Sequence, residues 1–445
     1  MDWKRRIRGR LQSLITRIFT SRIGRETLSS VGLRIASTGL TFLSVVLLAR
    51  VLGPAEYGVY SYVYALISLL AVPSEFGLPI LVVRETARGM AREDYATVQG
   101  IWRWAGWLTI VISLGLISLT GIAIWFFKEP LAGRRLETFL WALMLVPLIA
   151  LGNLRGAALR GLQKVFAGQL PEFLFRPGLL VLLLGGVIFL GSGSLTAPQA
   201  MLLYTIASAL AFGAGAWLLW RTIPIKVHSS VPRFESRTWL LSAVPLAFIG
   251  GMQLINQQAS ILLQGFFITD AEIGIFRVAI QVSQLASFGL VAINMVVAPR
   301  FAALHTQGNK AQMQRLVTTS ARVILIFTLL ITTVFVVLGQ PFLRLFFGPE
   351  YETAYLSLII LMAGQLINSG MGSVGVLLNM TGYEQETAKG MVLAAFLNIT
   401  LNLLLIPVWG IVGSSLASSI SLMVWNVILW QAVWKKLGIN SLAFG

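Results

Sequence analysis

This sequence predicts an all-α polytopic membrane protein, and three observations carry that prediction. Of its 445 residues, 56% are hydrophobic and 11% are charged. Apolar runs of roughly 20 to 27 residues recur along the whole chain, where a helix needs about 20 to cross a hydrocarbon core of ~30 Å. Short loops rich in Lys and Arg separate the runs. Backbone polar groups find no water in lipid, so a chain this apolar spans as helices.

The first 29 residues are basic and mildly amphipathic, with Trp3, Ile7, Leu11, Leu14 and Ile18 among arginines. The segment lacks the short apolar core and small-residue cleavage site of a secretory signal. It reads as an interfacial helix on anionic lipid. Twelve spans follow, at about 30–52, 57–83, 101–126, 137–157, 168–190, 198–220, 238–266, 273–297, 320–346, 354–378, 388–407 and 411–434. With the N-terminus inside, 26 of the 34 Lys and Arg fall on one side, and only Lys128, Arg134, Arg135 and Arg344 on the other. That bias orients both termini toward the cytoplasm. No run is left for a separate soluble domain. The absence of cysteine excludes disulfides and thiolate chemistry.

The chain reads as two copies of one six-span unit. Ala55, Glu56 and Gly58, just after span 1, recur as Ala271, Glu272 and Gly274, just after span 7, at an offset of 216. Span 1 carries Arg34, Ser37, Thr38, Thr41 and Ser44 at helical spacing, and span 7 carries Gln253, Asn256, Gln257, Ser260 and Gln264. Span 2 has the stripe Tyr57, Ser61, Tyr64, Ser68 and Glu75, answered in span 8 by Arg277, Gln281, Gln284, Ser287 and Asn294. Six crossings per copy make the repeats parallel rather than inverted. The expected units are 1–29, an N-lobe at 30–232 and a C-lobe at 233–445. Polar stripes facing lipid are costly, so these faces turn inward. Small polar residues could simply join helices, but the bulky amides of spans 7 and 8 favour a hydrated cavity between the lobes.

Charges inside the spans admit two readings. Arg34 and Glu75 lie at matching depth about the turn near Pro54, and Glu172 and Arg176 are four apart on one face of span 5. They are either ion pairs that fix helix register or a site in which arginines hold an anion and a glutamate carries a coupling proton. Arg277 has no acidic partner in its surroundings in the sequence. Snorkelling to the outer interface competes with a place in the cavity. The substrate-binding candidates are therefore Arg34, Arg176, Arg277, Gln253, Asn256, Gln257, Gln281 and Gln284, and the coupling candidates Glu75 and Glu172. His228 and His305 are too isolated for a metal site, and no phosphate-binding Gly-rich loop with Lys is present.

Several segments resemble the polysaccharide-biosynthesis flippases, the Wzx-like proteins of the multidrug, oligosaccharidyl-lipid and polysaccharide exporter superfamily. These are Leu52-Gly-Pro-Ala-Glu-Tyr-Gly-Val-Tyr60, Ser74-Glu-Phe-Gly-Leu-Pro79, Val83-Arg-Glu-Thr-Ala-Arg88, Gly274-Ile-Phe-Arg-Val-Ala279, Val297-Ala-Pro-Arg-Phe-Ala302 and Gly348-Pro-Glu-Tyr-Glu-Thr-Ala354. The resemblance implies two six-helix lobes, alternating access, and an undecaprenyl-pyrophosphate-linked oligosaccharide moved from the cytoplasmic to the periplasmic leaflet of a bacterial inner membrane. It implies no enzyme activity and no cofactor, with a proton or sodium gradient as the drive. The expected partners are the lipid-linked oligosaccharide, membrane lipids and other polysaccharide-assembly proteins, with no nucleic acid. A multidrug or organic-cation antiporter of the same superfamily is the alternative, and a membrane-embedded polymerase or ligase the second.

Overall fold

A computed structural model describes residues 22–126, 133–190 and 195–444. Most of the basic N-terminal segment thus lies outside the described residues. Ten helical stretches among the described residues are long and apolar enough to cross a bilayer. Two of them, Gly32–Glu75 and Glu384–Leu437, run to 44 and 54 residues, about twice what one crossing needs. Helix α1 (Arg22–Glu75) is two limbs parted at Gly53, with φ 70 and ψ 171. The last helix, α16 (Glu384–Leu437), is parted at Gly410, with φ 53 and ψ −130. A residue with a Cβ avoids positive φ and glycine does not, so each glycine can turn the chain back across the membrane in a single step. Among the described residues these limbs number twelve.

Between these two hairpins run α2 (Leu78–Ala91), α3 (Tyr95–Phe126), α4 (Arg134–Leu143), α5 (Leu145–Gly161), α6 (Val165–Leu170), α7 (Arg176–Phe189), α8 (Ala197–Thr222) and the short α9 (Ile225–His228). The second half holds α10 (Ser236–Phe267), α11 (Asp270–Ser283), α12 (Phe288–Thr306), α13 (Lys310–Phe346), α14 (Tyr355–Met371) and α15 (Val374–Met380). No strand occurs among the described residues. The expected second span, 57–83, is shorter than the sequence suggests. Its helix stops at Glu75, Phe76 and Gly77 adopt positive φ, and α2 restarts with a proline in its first turn.

Two ends can be told apart, a turn end at Gly53 and Gly410 and a basic end opposite it. At the turn end α1 packs against α11. A Cβ on Gly58 would overlap the Asp270 carbonyl, and one on Gly274 would overlap the Pro54 carbonyl. The two halves thus touch backbone to backbone through the very motif that recurs in the sequence. Arg135 Nη2 bridges to Asp270 Oδ1 at 2.6 Å, its guanidinium 4.7 Å from the Tyr62 ring centre. Tyr351 donates to the Ala49 carbonyl at 3.1 Å. One apolar core runs through this contact, joining Leu52, Tyr57 and Val63 to Ile273, Phe276 and Phe347.

Helix α10 laps onto the first half as well. Its Trp239 and Ala243 complete the core of Leu78, Leu81, Ile101 and Leu154, with Trp239 and Trp104 ring centres 5.5 Å apart. The connection before it is tied down at the basic end. Arg233 N–H donates to the Ala96 carbonyl at 3.0 Å, and its guanidinium reaches Asp94 Oδ2 at 2.7 Å. The slight burial of Asp94 pushes its carboxyl upward, but hydrogen bonds from Thr97 and the Arg233 charge outweigh it and hold the group below the usual carboxylate range. Deeper in the second half, α10 and α16 are joined by amides and hydroxyls. Asn402 Nδ2 donates to Ser260 Oγ at 3.2 Å and to the Asn398 carbonyl at 2.8 Å, while Ser414 Oγ donates to Asn402 Oδ1 at 2.7 Å.

Candidate functional site

The polar faces of α1, α7 and α11 enclose a cavity of about 330 Å³. Arg34, Arg176 and Arg277 all line it, together with Glu172, Gln281 and Gln284. Their depths differ. Arg277 lies seven residues into α11 from the turn end, about 10 Å along the helix, whereas Arg34 lies 19 residues before Gly53, about 28 Å from that end. Arg176 falls between, since Ser44 of α1 donates to the neighbouring Pro177 carbonyl at 3.4 Å. The guanidiniums are therefore strung along the depth of the protein rather than gathered at one point.

Glu172 is the only carboxylate of the lining among the described residues. Its Oε2 meets Arg176 Nη1 at 3.0 Å, and its Oε1 meets Arg155 Nη2 at 3.1 Å. Arg155 stands behind the cavity with its side chain 4% exposed and also donates to the Ala211 and Phe212 carbonyls. Arg155 stands near the end of span 4 in the sequence, and the structure buries it against Glu172. Arg34 lies 5.2 Å from the centre of the Phe173 ring. No ion pair involves Arg34 or Arg277 among the described residues, and Arg277 shares the cavity lining with Tyr57. The cavity wall is thus net cationic.

Local irregularities aim these groups. Pro171 has no N–H to give the preceding turn, and residues Pro171–Phe175 form a π-turn that carries Glu172 and Phe173. Gln284–Ser287 form a 3-10 turn just past Gln281. Between the arginines lies an aromatic wall. Tyr57, Tyr60 and Tyr64 follow one face of α1, with successive ring centres 6.3 and 6.5 Å apart and planes within 14° and 5°. Tyr204 of α8 meets Tyr64 edge-on at 5.5 Å.

Several expected residues lie elsewhere. Glu75 is paired with neither Arg34 nor the cavity; its Oε1 accepts from Asn153 Nδ2 at 2.6 Å. Matching depth on adjacent limbs did not imply matching face. Gln253, Asn256 and Gln257 lie outside the lining. Asn256 donates to the Met391 carbonyl at 3.2 Å, and Gln253 and Gln257 are exposed. Arg155, Asn153, Phe173 and Tyr204 escaped the sequence reading. For Asn153 and Arg155 the signal was present, two polar residues near the end of one apolar span.

The family described as lipid II flippase MurJ matches residues 187–444. A probable low-salt glycan biosynthesis flippase, Agl15 of Haloferax volcanii, is 23% identical over 90% of this chain and 82% of its own length. Among solved structures, an inward-facing multidrug resistance MATE family transporter of the MOP superfamily aligns with a TM-score of 0.74 at 14% identity, over 90% of this chain and 94% of that one. The lipid II flippase MurJ in an inward closed conformation aligns at 0.72 and 16%, over 91% and 87%. These two share the all-helical fold. The family described as polysaccharide biosynthesis protein matches residues 23–305, more than half of the chain. The chain belongs to this polysaccharide biosynthesis protein family.

Proposed function

We propose that this protein is a flippase for a lipid-linked oligosaccharide carried on undecaprenyl pyrophosphate. It takes the substrate from the cytoplasmic leaflet of a bacterial inner membrane, reached at its basic end, and releases it in the outer leaflet by alternating access. The observation that carries this reading is the sign of the cavity. Three arginines line it against one glutamate, and that glutamate is already shared with a fourth arginine outside the wall. Guanidinium forks bind phosphate oxygens through charge-assisted, bidentate hydrogen bonds. Their spread in depth gives a pyrophosphate successive cationic partners from Arg34 past Arg176 to Arg277. The tyrosine wall offers apolar ring faces and hydroxyls suited to sugars, while the polyprenyl tail stays in lipid. No bond has to break. An organic-cation antiporter would need the opposite charge in its cavity.

Coupling to a proton or sodium gradient belongs to the same proposal. Of the two carboxylates considered for it, Glu172 faces two guanidiniums and Glu75 one neutral amide. Glu75 is the assignment we make for a proton.

Arg277 provides the test because no carboxylate in the described protein pairs with it. In proteoliposomes loaded with a defined undecaprenyl-pyrophosphate oligosaccharide, Arg277→Ala should abolish flipping at unchanged protein abundance. Arg277→Lys should retain part of it, since a point charge still holds phosphate without the fork. Full flipping by Arg277→Ala would remove this residue from the site and leave the reading to Arg34 and Arg176.

A further inference from the structure

A second cavity, of about 620 Å³, lies far from the first, at the basic end of the second half. Its walls are Arg315, Thr319 and Arg322 of α13, Trp434 of α16 and the segment after Gly438. That segment is clasped in place. Gln314 Nε2 donates to the Asn440 carbonyl at 2.6 Å, Asn440 N–H returns a bond to Gln314 Oε1 at 2.9 Å, and Arg322 Nε donates to the Ala443 carbonyl at 2.9 Å. The floor is therefore fixed. Above it, no ion pair involves Arg315 or Arg322 among the described residues, and both residues are exposed.

The sequence fixes the depth of this cavity. Between Arg322 and Arg344 no residue is charged. That stretch rises about 33 Å as helix, close to the ~30 Å of a hydrocarbon core. Arg322 thus stands at one membrane interface and Arg344 at the other. Trp434, 54% exposed, has the amphipathic ring favoured at that level. Along α13 the exposed face continues from Arg315, Thr319 and Arg322 to Ile326 and Leu330, at steps of four, three, four and four residues. Ile326 and Leu330 are 59% and 63% exposed. Two cationic forks and a hydroxyl at the interface, followed on the same face by an open aliphatic track into the hydrocarbon, match the two parts of one phospholipid.

We propose that this cavity is a binding site for an anionic phospholipid, with Arg315 and Arg322 on the phosphate, Thr319 and Trp434 at the glycerol level, and one acyl chain along Ile326 and Leu330. A basic pocket between helices at an interface is the chemistry that selects anionic headgroups. The site stands apart from the proposed substrate route and does not depend on it.

Delipidated full-length protein in detergent, titrated with dioleoyl phosphatidylglycerol and followed by native mass spectrometry, should retain one lipid through harsh activation. Arg315→Gln, which breaks no bond within the protein, and Arg315→Gln/Arg322→Gln should each bind about tenfold more weakly or worse, the consequence of losing a charge-assisted contact. Arg300→Gln, an exposed cytoplasmic-side arginine elsewhere, should bind as the parent does. Dioleoyl phosphatidylcholine should bind poorly, and inorganic phosphate at the same concentration should not displace the phosphatidylglycerol. Equal affinity for phosphatidylcholine, undiminished binding by Arg315→Gln, or an equal loss in Arg300→Gln would overturn the site. Displacement by inorganic phosphate would overturn it as a lipid site and leave an anion pocket.

Discussion

Glu172 holds together charges that burial would otherwise penalise. Arg155, nearly without solvent, has Glu172 as its only ionic partner among the described residues. Removing one member of a buried pair leaves the other uncompensated, a loss on the order of 3 kcal/mol or more. Glu172→Gln should therefore lower thermal stability in detergent clearly, and Arg155→Met added to it should recover much of the loss. If Glu172→Gln melts like the parent, Arg155 is neutralised some other way. At this scale the sequence was partly legible. The three arginines and Gln281 and Gln284 were found from helical spacing, because spacing fixes the face of a regular helix. Glu75 meets an amide of α5, and Arg155 meets a carboxylate of the π-turn before α7, approaches that no spacing within one helix reports.

The helices' ends decide whether the protein can change shape. At the turn end α1 and α11 meet through Gly58 and Gly274, with the Arg135–Asp270 pair beside them. Arg135→Glu and Asp270→Arg should each weaken closure and lower flipping, whereas the two together should restore part of it. Failure of the exchange to rescue would mean that the pair does not link the halves. Gly58→Ala should cost about 1–3 kcal/mol, since carbonyl backbone has to shift to admit the methyl. At the basic end, Asp94 and Arg233 tie α3 to the connection before α10. Asp94 has a depressed pKa in the folded state, so its contribution is present above its unfolded value of about 3.9 and is lost as pH falls through the folded one. The Tm gap between the parent and Asp94→Asn should accordingly be seen at pH 7 and narrow as the pH falls below about 3.9. Helix existence was read from apolar length. The π-turn, the 3-10 turn and the stop at Glu75 were not, because local turn geometry leaves mean hydropathy unchanged.

For the whole molecule, the expectation is that the cavity and the exposed polar face of α10 are both wet. Cysteines placed at Gln281 and Gln284 in the cavity, and at Gln253 and Gln257 on the exposed face of α10, should react with water-soluble, membrane-permeant thiol reagents in a chain without native cysteine. Protection at the first two, with labelling at exposed controls, would make the cavity dry. Reporter fusions after Gln307 should read as cytoplasmic and after Pro349 as periplasmic, which tests the orientation on which the transport direction depends. The fold class was legible because the bilayer imposes one length and one secondary structure on every crossing. How α10 packs against the first half was not, since apolar side chains in lipid have no preferred partner that composition records.

The clasp at the end of α16 also bears on how the protein is made. Residues 439–443 are translated after every helix they touch, yet Ile439 belongs to the same core as Val297, Met313 and Val374. Until Asn440 and Ala443 leave the ribosome, Gln314 and Arg322 sit in an inserted helix without the carbonyls that later receive them. The second half therefore has all its spans before that corner is finished, and the clasp is the last of its contacts to form. A chain truncated after Gly438 should be open to protease at the basic end of α13, where the full chain resists it.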